Sequence, residues 1–291
     1  MTSVYISNEN IQVVIGKKSG SKLTIKKAVS EAVAEGSIIG GVITDEAALK
    51  SQLVQMWQAY KLPKSGIRLV IESSSVDMKT VTVPNVSNST YMTKLISESL
   101  PDPNGEEVVY DYKPLFRAPD GLITVLGCMA ERSFVQSYID LFSGAKLSLR
   151  SIDLAVCGQI RLAQFCKSLS ERTYIVAVMD HNTVSQFLFT NGSYRFSNRT
   201  RILFNRDTPE MADEIAKMIS SLVQFNKSEK SGAEITDVYF CGFSSQEINT
   251  AALMLDSTMN LETLPDMPEI VYPGGKKSWL SEYVFAAANL I

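Results

Sequence analysis

Two stretches far apart in the chain spell the same local layout, and this repetition constrains the fold more than any other feature. In the first, Val4-Tyr5-Ile6 leads through the polar turn Ser7-Asn8-Glu9-Asn10 into Ile11 to Gly16, and Lys22-Leu23-Thr24-Ile25 follows a small turn. In the second, Tyr174 to Met179 leads through Asp180-His181-Asn182-Thr183 into Val184 to Phe189, and Tyr194-Arg195-Phe196 follows Asn191-Gly192. Short runs of β-branched and aromatic residues, broken by Asn, Asp, Ser and Gly, read as strands and turns. Each stretch is an antiparallel meander, and its recurrence suggests an internal duplication and therefore two lobes. A chain of 291 residues, 45% of them hydrophobic, is long enough for more than one core.

Between the meanders the texture alternates. Thr44-Asp45-Glu46 caps a helix whose apolar face is Leu49, Leu53, Met56, Trp57 and Tyr60, and Ile67 to Ile71 is a buried strand. Strands, a helix and another strand make an α/β layer. From about Asp77 to Leu149 the pattern reads as a small inserted α+β unit, with a bend at Pro101 to Gly105 and a helix through Phe134, Tyr138, Leu141 and Phe142 that stops at Gly144 in a left-handed cap. A helix near Ile152 to Leu169 returns the chain to the first lobe. After the second meander, Thr208-Pro209 opens a helix, and the strand Val238 to Cys241 turns through Gly242-Phe243-Ser244-Ser245 into another. The expected division is residues 1–76 as first lobe, 77–150 as inserted unit, 151–172 as return helix, 173–264 as second lobe and 265–291 as a return to the first lobe.

Composition removes whole classes of chemistry. There is one histidine, His181, so a multi-histidine metal site is excluded and any Ser-His-Asp triad would have to use it. Cys128, Cys157, Cys166 and Cys241 show no CxxC spacing and read as buried free thiols. A net charge of −3 provides no global positive field for nucleic acid or anionic lipid. No apolar run spans a bilayer and Met1 to Ile6 has no signal-peptide pattern, so the expected location is cytoplasmic, with any membrane link made through a partner.

Several residues invite a functional reading. Asp180 beside His181 looks like an acid/base pair, but Asp, His and Asn also suit the left-handed geometry of a hairpin turn. Arg195, Arg199, Arg201 and Arg206 form a basic run, the first three falling on one side of an extended strand as a solvated face. Lys17, Lys18, Lys22, Lys26 and Lys27 decorate a hairpin, where charge discourages edge pairing. Pro273-Gly274-Gly275-Lys276-Lys277-Ser278 lacks the first glycine of a P-loop and reads as a plain loop. The turn at Gly242, between a strand and a helix N-terminus, has the makings of a nucleotide-edge site.

Taken in order, these features resemble the superfamily of actin, sugar kinases and heat-shock chaperone ATPases. Within it, they resemble PilM and related cytoplasmic domains of pilus and secretion systems. The phrases that carry the resemblance are the opening meander, Gly127 to Ser133, Gly144-Ala145-Lys146-Leu147 through Ser151-Ile152-Asp153-Leu154, Asn191-Gly192, and the closing Phe285 to Ile291. The resemblance implies an actin-like (ribonuclease H-like) α/β fold of two lobes with a small inserted α+β subdomain.

The resemblance further implies a nucleotide site at three turns: Ser7 and Asn8; Asp180, His181, Asn182 and Thr183; Gly242 and Ser244. Active relatives carry Asp-x-Gly at the first two turns and Gly-Gly at the third. The glycines let backbone N–H groups approach phosphate, and the carboxylates organise Mg²⁺. Here the first turn has no aspartate, the second no glycine and the third a single glycine, so the expectation is a degenerate site, with ATP and Mg²⁺ the only cofactors in question. The implied function is a cytoplasmic scaffold of a type IV pilus-like machine that takes up a short peptide of a single-pass membrane protein. The peptide groove would lie between the inserted unit and the first lobe, near Val81, Val83, Tyr91 and Leu95, and self-association would also be open to it. The alternative is a nucleotide-driven ATPase or small-molecule kinase using Asp180, Ser7 and the Gly242 turn.

Overall fold

Both meanders form. In this computed structural model, which describes residues 1–101, 105, 107–229, 233–255, 258–272 and 279–291, the first is β1 (Thr2–Ile6), β2 (Asn10–Ser19) and β3 (Lys22–Ala32). The short pair β4 (Ile38–Ile39) and β5 (Val42–Ile43) leads to α1 (Glu46–Ala59), where the Asp45 carboxylate accepts a hydrogen bond from the Ala48 amide. Next come β6 (Ile67–Ile71), β7 (Val76–Pro84), α2 (Ser89–Ser99), β8 (Val108–Arg117), β9 (Leu122–Glu131), α3 (Arg132–Gly144), β10 (Leu149–Leu154) and α4 (Ala155–Phe165). The second meander is β11 (Tyr174–Asp180), β12 (Thr183–Thr190) and β13 (Ser193–Arg201). The remainder is α5 (Pro209–Ser228), β14 (Asp237–Cys241), α6 (Ser245–Ala252), β15 (Asn260–Thr263), β16 (Ile270–Val271), α7 (Trp279–Glu282) and α8 (Val284–Ala288). The loop 273–278, with its Gly-Gly-Lys-Lys phrase, and most of the bend at 101–105 lie outside the described residues.

The chain divides into two compact units, one of residues 1–5, 12–30 and 153–291, the other of residues 6–11 and 31–152. In the first, the sheet order is β13-β12-β11-β14-β15, antiparallel within the meander and parallel from β11 to β14. Every residue of β11 is buried, which a central strand covered on both faces requires. On one face Ile175, Ala177 and Met179 pack under Met211, Ile215 and Ile219 of α5. On the other, Tyr174 stacks on Phe189 at 5.0 Å and Phe187 meets Phe285 of α8 edge-on at 6.0 Å. Arg161 of α4 pairs with Asp153 and donates to the Asn289 side chain, which donates in turn to buried Ser3, tying the last helix to the first strand.

The second unit holds its own three-stranded sheet, β7-β9-β8, under α2, with a core that includes Val83, Met92, Ile96, Ile123 and Val125. Beside it α3 packs on α1, Trp57 meeting Phe142 edge-on at 6.5 Å, and the Tyr138 hydroxyl donates to the Gly41 carbonyl.

Two helix ends differ from expectation. Gly144 is the last residue of α3, while Lys146 takes the left-handed conformation at φ 58°. A Cβ at Gly144 would come within 3.1 Å of the Lys50 Cδ on α1, a contact that this flexible side chain relieves by a small shift. The return helix begins at Ala155 rather than Ile152, because β10 runs on through Leu154.

Within the first unit's core lies a polar defect. Gln186 is fully buried, and among the described residues neither atom of its amide has a partner. It follows Val184 and precedes Leu188 on the α5-facing side of β12, opposite Ala177. Gln186→Leu is expected to stabilise the protein by about 1–3 kcal/mol in urea unfolding, because it removes an unsatisfied amide at similar volume. A loss of stability would show that the amide is hydrogen-bonded in solution.

Candidate functional site

The first turn, in the second unit, closes on itself. Ser7 is buried, and its Oγ accepts from the amides of Glu9 at 3.2 Å and Asn10 at 3.0 Å. The Ser7 amide donates to the Asn10 carbonyl, and Asn8 Oδ1 accepts from the Gly41 amide at 3.1 Å. Backbone donors of this kind are what a phosphate takes up in a turn, and here the Ser7 and Asn8 side chains and the Asn10 carbonyl already hold them.

The second turn, in the first unit, is tighter than the sequence implies. Asp180 and Thr183 are paired strand residues, leaving His181-Asn182 as the loop, with His181 left-handed at φ 53° as a turn residue. The Asp180 carboxylate accepts a hydrogen bond from the Tyr5 hydroxyl at 3.1 Å. The Asn182 carbonyl accepts from the Ile202 amide. Beside this turn a cavity of about 210 Å³ runs under Leu203, Phe204 and Arg206.

The third turn is the most heavily engaged. Gly242 has φ +76°, and a Cβ there would stand 2.4 Å from the Met179 carbonyl oxygen. Ser244 caps α6 in a reciprocal box: its Oγ accepts from the Glu247 amide at 3.1 Å, and Glu247 Oε2 accepts from the Ser244 amide at 2.7 Å. Arg206 grips the same carboxylate with two N–H donors, at 2.5 and 2.6 Å, and donates also to the Gly242 carbonyl. Ser244 Oγ donates to Asp207 Oδ1 at 2.8 Å. The positive end of the helix is therefore occupied by the chain's own carboxylates. Arg206 leaves the basic run to serve as an internal ion-pair partner, so the solvated-face reading does not extend to it. A bulge near Tyr194 also interrupts the alternation that placed Arg195 with Arg199 and Arg201.

Burial by itself would raise the Glu247 pKa, but hydrogen bonds from Arg206 and from the Ser244 and Asp207 amides, with the Arg206 charge, hold it below the ordinary 4.5. A folded-state pKa below the unfolded one contributes stability that is fully present above pH 4.5 and is lost as pH falls through the depressed value. Acid titration is expected to lower the melting temperature in that window, and Glu247→Gln to flatten this part of the profile.

Sequence reasoning missed Tyr5, Arg206, Asp207 and Glu247. Only the last had a local signal, the Ser-x-x-Glu spacing of Ser244 and Glu247. Among the described residues no three His, Cys, Asp or Glu side chains are placed to hold a metal. Cys166 and Cys241 are buried, burial chiefly pushing the Cys166 thiol up to about 12. In thiol titration of the native protein these two are expected to react only after unfolding. Tested for ATP and Mg²⁺, the turns fit poorly, since donors at the first and third are taken by Ser7 and by Glu247 with Asp207.

Of the residues expected at a peptide groove, Val83 belongs to the core under α2, and Val81 and Leu95 pack against it half-buried. Tyr91 stands on α2 at 48% exposure, with Met78, Phe116 and Leu122 also exposed on the same three-stranded sheet.

No protein-family model matches the chain, and no curated protein matches it in sequence. Solved structures match it in fold. A chain of a PilM-PilN type IV pilus biogenesis complex superposes with a TM-score of 0.80 at 15% identity, over 99% of this chain and 96% of that one. A Bacteroides thetaiotaomicron protein of actin-like ATPase fold and unknown function gives 0.51 at 10% identity, over 99% and 94%. The cytoplasmic domain of EpsL, an inner-membrane component of the type II secretion system of Vibrio cholerae, gives 0.51 at 11% identity, over 91% and 89%. The chain has a PilM-like version of the actin-like fold.

Proposed function

We propose that this chain is a cytoplasmic scaffold of a type IV pilus-like assembly machine, recruited to the membrane by docking a short peptide of a single-pass membrane protein, and that its nucleotide site is degenerate. The observation that carries the second half is the engagement of the turn donors by Ser7, Glu247 and Asp207. The first half is supported by likeness along nearly the whole chain to a structure solved as a PilM-PilN complex. Among the described residues no helix is long and apolar enough to cross a membrane, which suits recruitment through a partner.

Calorimetry with Mg-ATP, backed by thermal shift, tests the nucleotide half. A ligand that binds only the folded state at a hundred times its Kd adds about 2.7 kcal/mol of stability, so millimolar nucleotide with neither heat nor shift is the expected result. Micromolar binding lost in Asp180→Ala would instead favour a nucleotide switch or an enzyme. The docking half is tested with labelled cytoplasmic segments of single-pass membrane proteins, followed by anisotropy. Tyr91→Ala is expected to weaken capture about tenfold or more, as truncation of an aromatic anchor does, and an unchanged affinity would remove the α2 face from the groove.

A further inference from the structure

We infer that the β2–β3 hairpin is an electrostatic foot that rests directly on an anionic phospholipid surface. Between Asn10 and Ser30 the chain carries Lys17, Lys18, Lys22, Lys26 and Lys27 and no Asp or Glu, although the whole protein is net negative at −3. The positive charge is thus local, which a whole-chain sum conceals.

The fold collects it on one projection. β2 ends at Ser19 and β3 begins at Lys22, with Gly20 at φ +56° in the turn, and every residue from Lys17 to Lys22 is exposed. Along β3, Lys22 and Lys26 alternate with buried Leu23 and Ile25, so these two lysines point away from the core, while Lys27, on the apolar side's register, is half-buried. Lys18 lies over the Phe165 ring at 5.2 Å and donates to the Ile291 carbonyl. Among the described residues Lys17, Lys22 and Lys26 have no carboxylate within ion-pair distance.

The chemistry favours lipid headgroups over nucleic acid. The hairpin has no aromatic residue on which a base could stack and no arginine, asparagine or glutamine at its tip to read a base edge. Lysine is a hydrated point charge on a flexible stem, which suits a diffuse sheet of negative charge such as an anionic leaflet. The tip Ser19-Gly20-Ser21 has no apolar side chain to insert, so contact is shallow and reversible.

The test is co-sedimentation of the full chain with vesicles of phosphatidylcholine alone and of phosphatidylcholine mixed with phosphatidylglycerol. Partition onto the anionic vesicles only is expected, weakened about tenfold or more by high salt and by the triple variant Lys17→Glu, Lys22→Glu, Lys26→Glu, and kept by the matching arginine variant. These side chains are exposed, and an unchanged melting temperature verifies that the variants fold. Absence of partition onto anionic vesicles, partition indifferent to the glutamate variant, or lysine-dependent binding to duplex DNA without vesicle binding would each overturn the inference. None of these readouts involves peptide or nucleotide, so they stand apart from the proposed function.

Discussion

Gly242→Ala is expected to lose about 3 kcal/mol or more of unfolding free energy, read as a lower urea midpoint at constant slope. The left-handed conformation at φ +76° costs an L-residue roughly 1–2 kcal/mol. The new Cβ would meet the Met179 carbonyl oxygen at 2.4 Å, and that atom cannot retreat, because β11 and β14 are locked in parallel register with Val178 opposite Cys241. Crowding against fixed backbone adds about 1–3 kcal/mol. Gly20→Ala is the control: φ is +56° but nothing lies within 4 Å, so only the backbone strain of about 1–2 kcal/mol should appear. Equal losses at the two positions would mean that β11 and β14 do not approach as closely as described. The glycine that looked like a phosphate-approach residue is thus demanded by the protein's own backbone.

Arg206→Ala is expected to cost about 2–3 kcal/mol by leaving the Glu247 carboxylate, whose side chain is 2% exposed, with only backbone donors in place of its two-pronged partner. The figure sits below that of a fully enclosed pair because Arg206 is 41% exposed and solvent screens it. Arg206→Lys should recover only part of the loss, since an ammonium cannot match both carboxylate oxygens. The double variant Arg206→Met, Glu247→Met should cost less than the sum of its single changes, a coupling that chemical denaturation resolves. Strict additivity would show that the pair does not form in solution.

The architecture was legible in the sequence wherever an apolar run met its punctuation. Both meanders appear between Thr2 and Ala32 and between Tyr174 and Arg201 because short β-branched and aromatic runs bounded by polar turns write strands into local composition. Legibility failed where a contact distant in sequence sets the outcome. Gly144 looked like a cap because glycine after an apolar helix usually is one, but the left-handed residue is Lys146, two positions on. At the site the capping box was local and readable. The reach of Arg206 to Glu247, and of Tyr5 to Asp180 across most of the chain, belongs to tertiary structure and leaves no periodic trace.

The serine in the first turn has a consequence for timing. A loop whose donors await phosphate is loose when empty and firm when filled, so its rigidity tracks the supply of ligand. Here the Ser7 hydroxyl fills that role at all times, covalently attached and always present. Under the proposed function such a platform is constitutive: its shape would not follow the energy charge of the cell. Control of assembly then passes to the abundance and arrival of whatever docks on it.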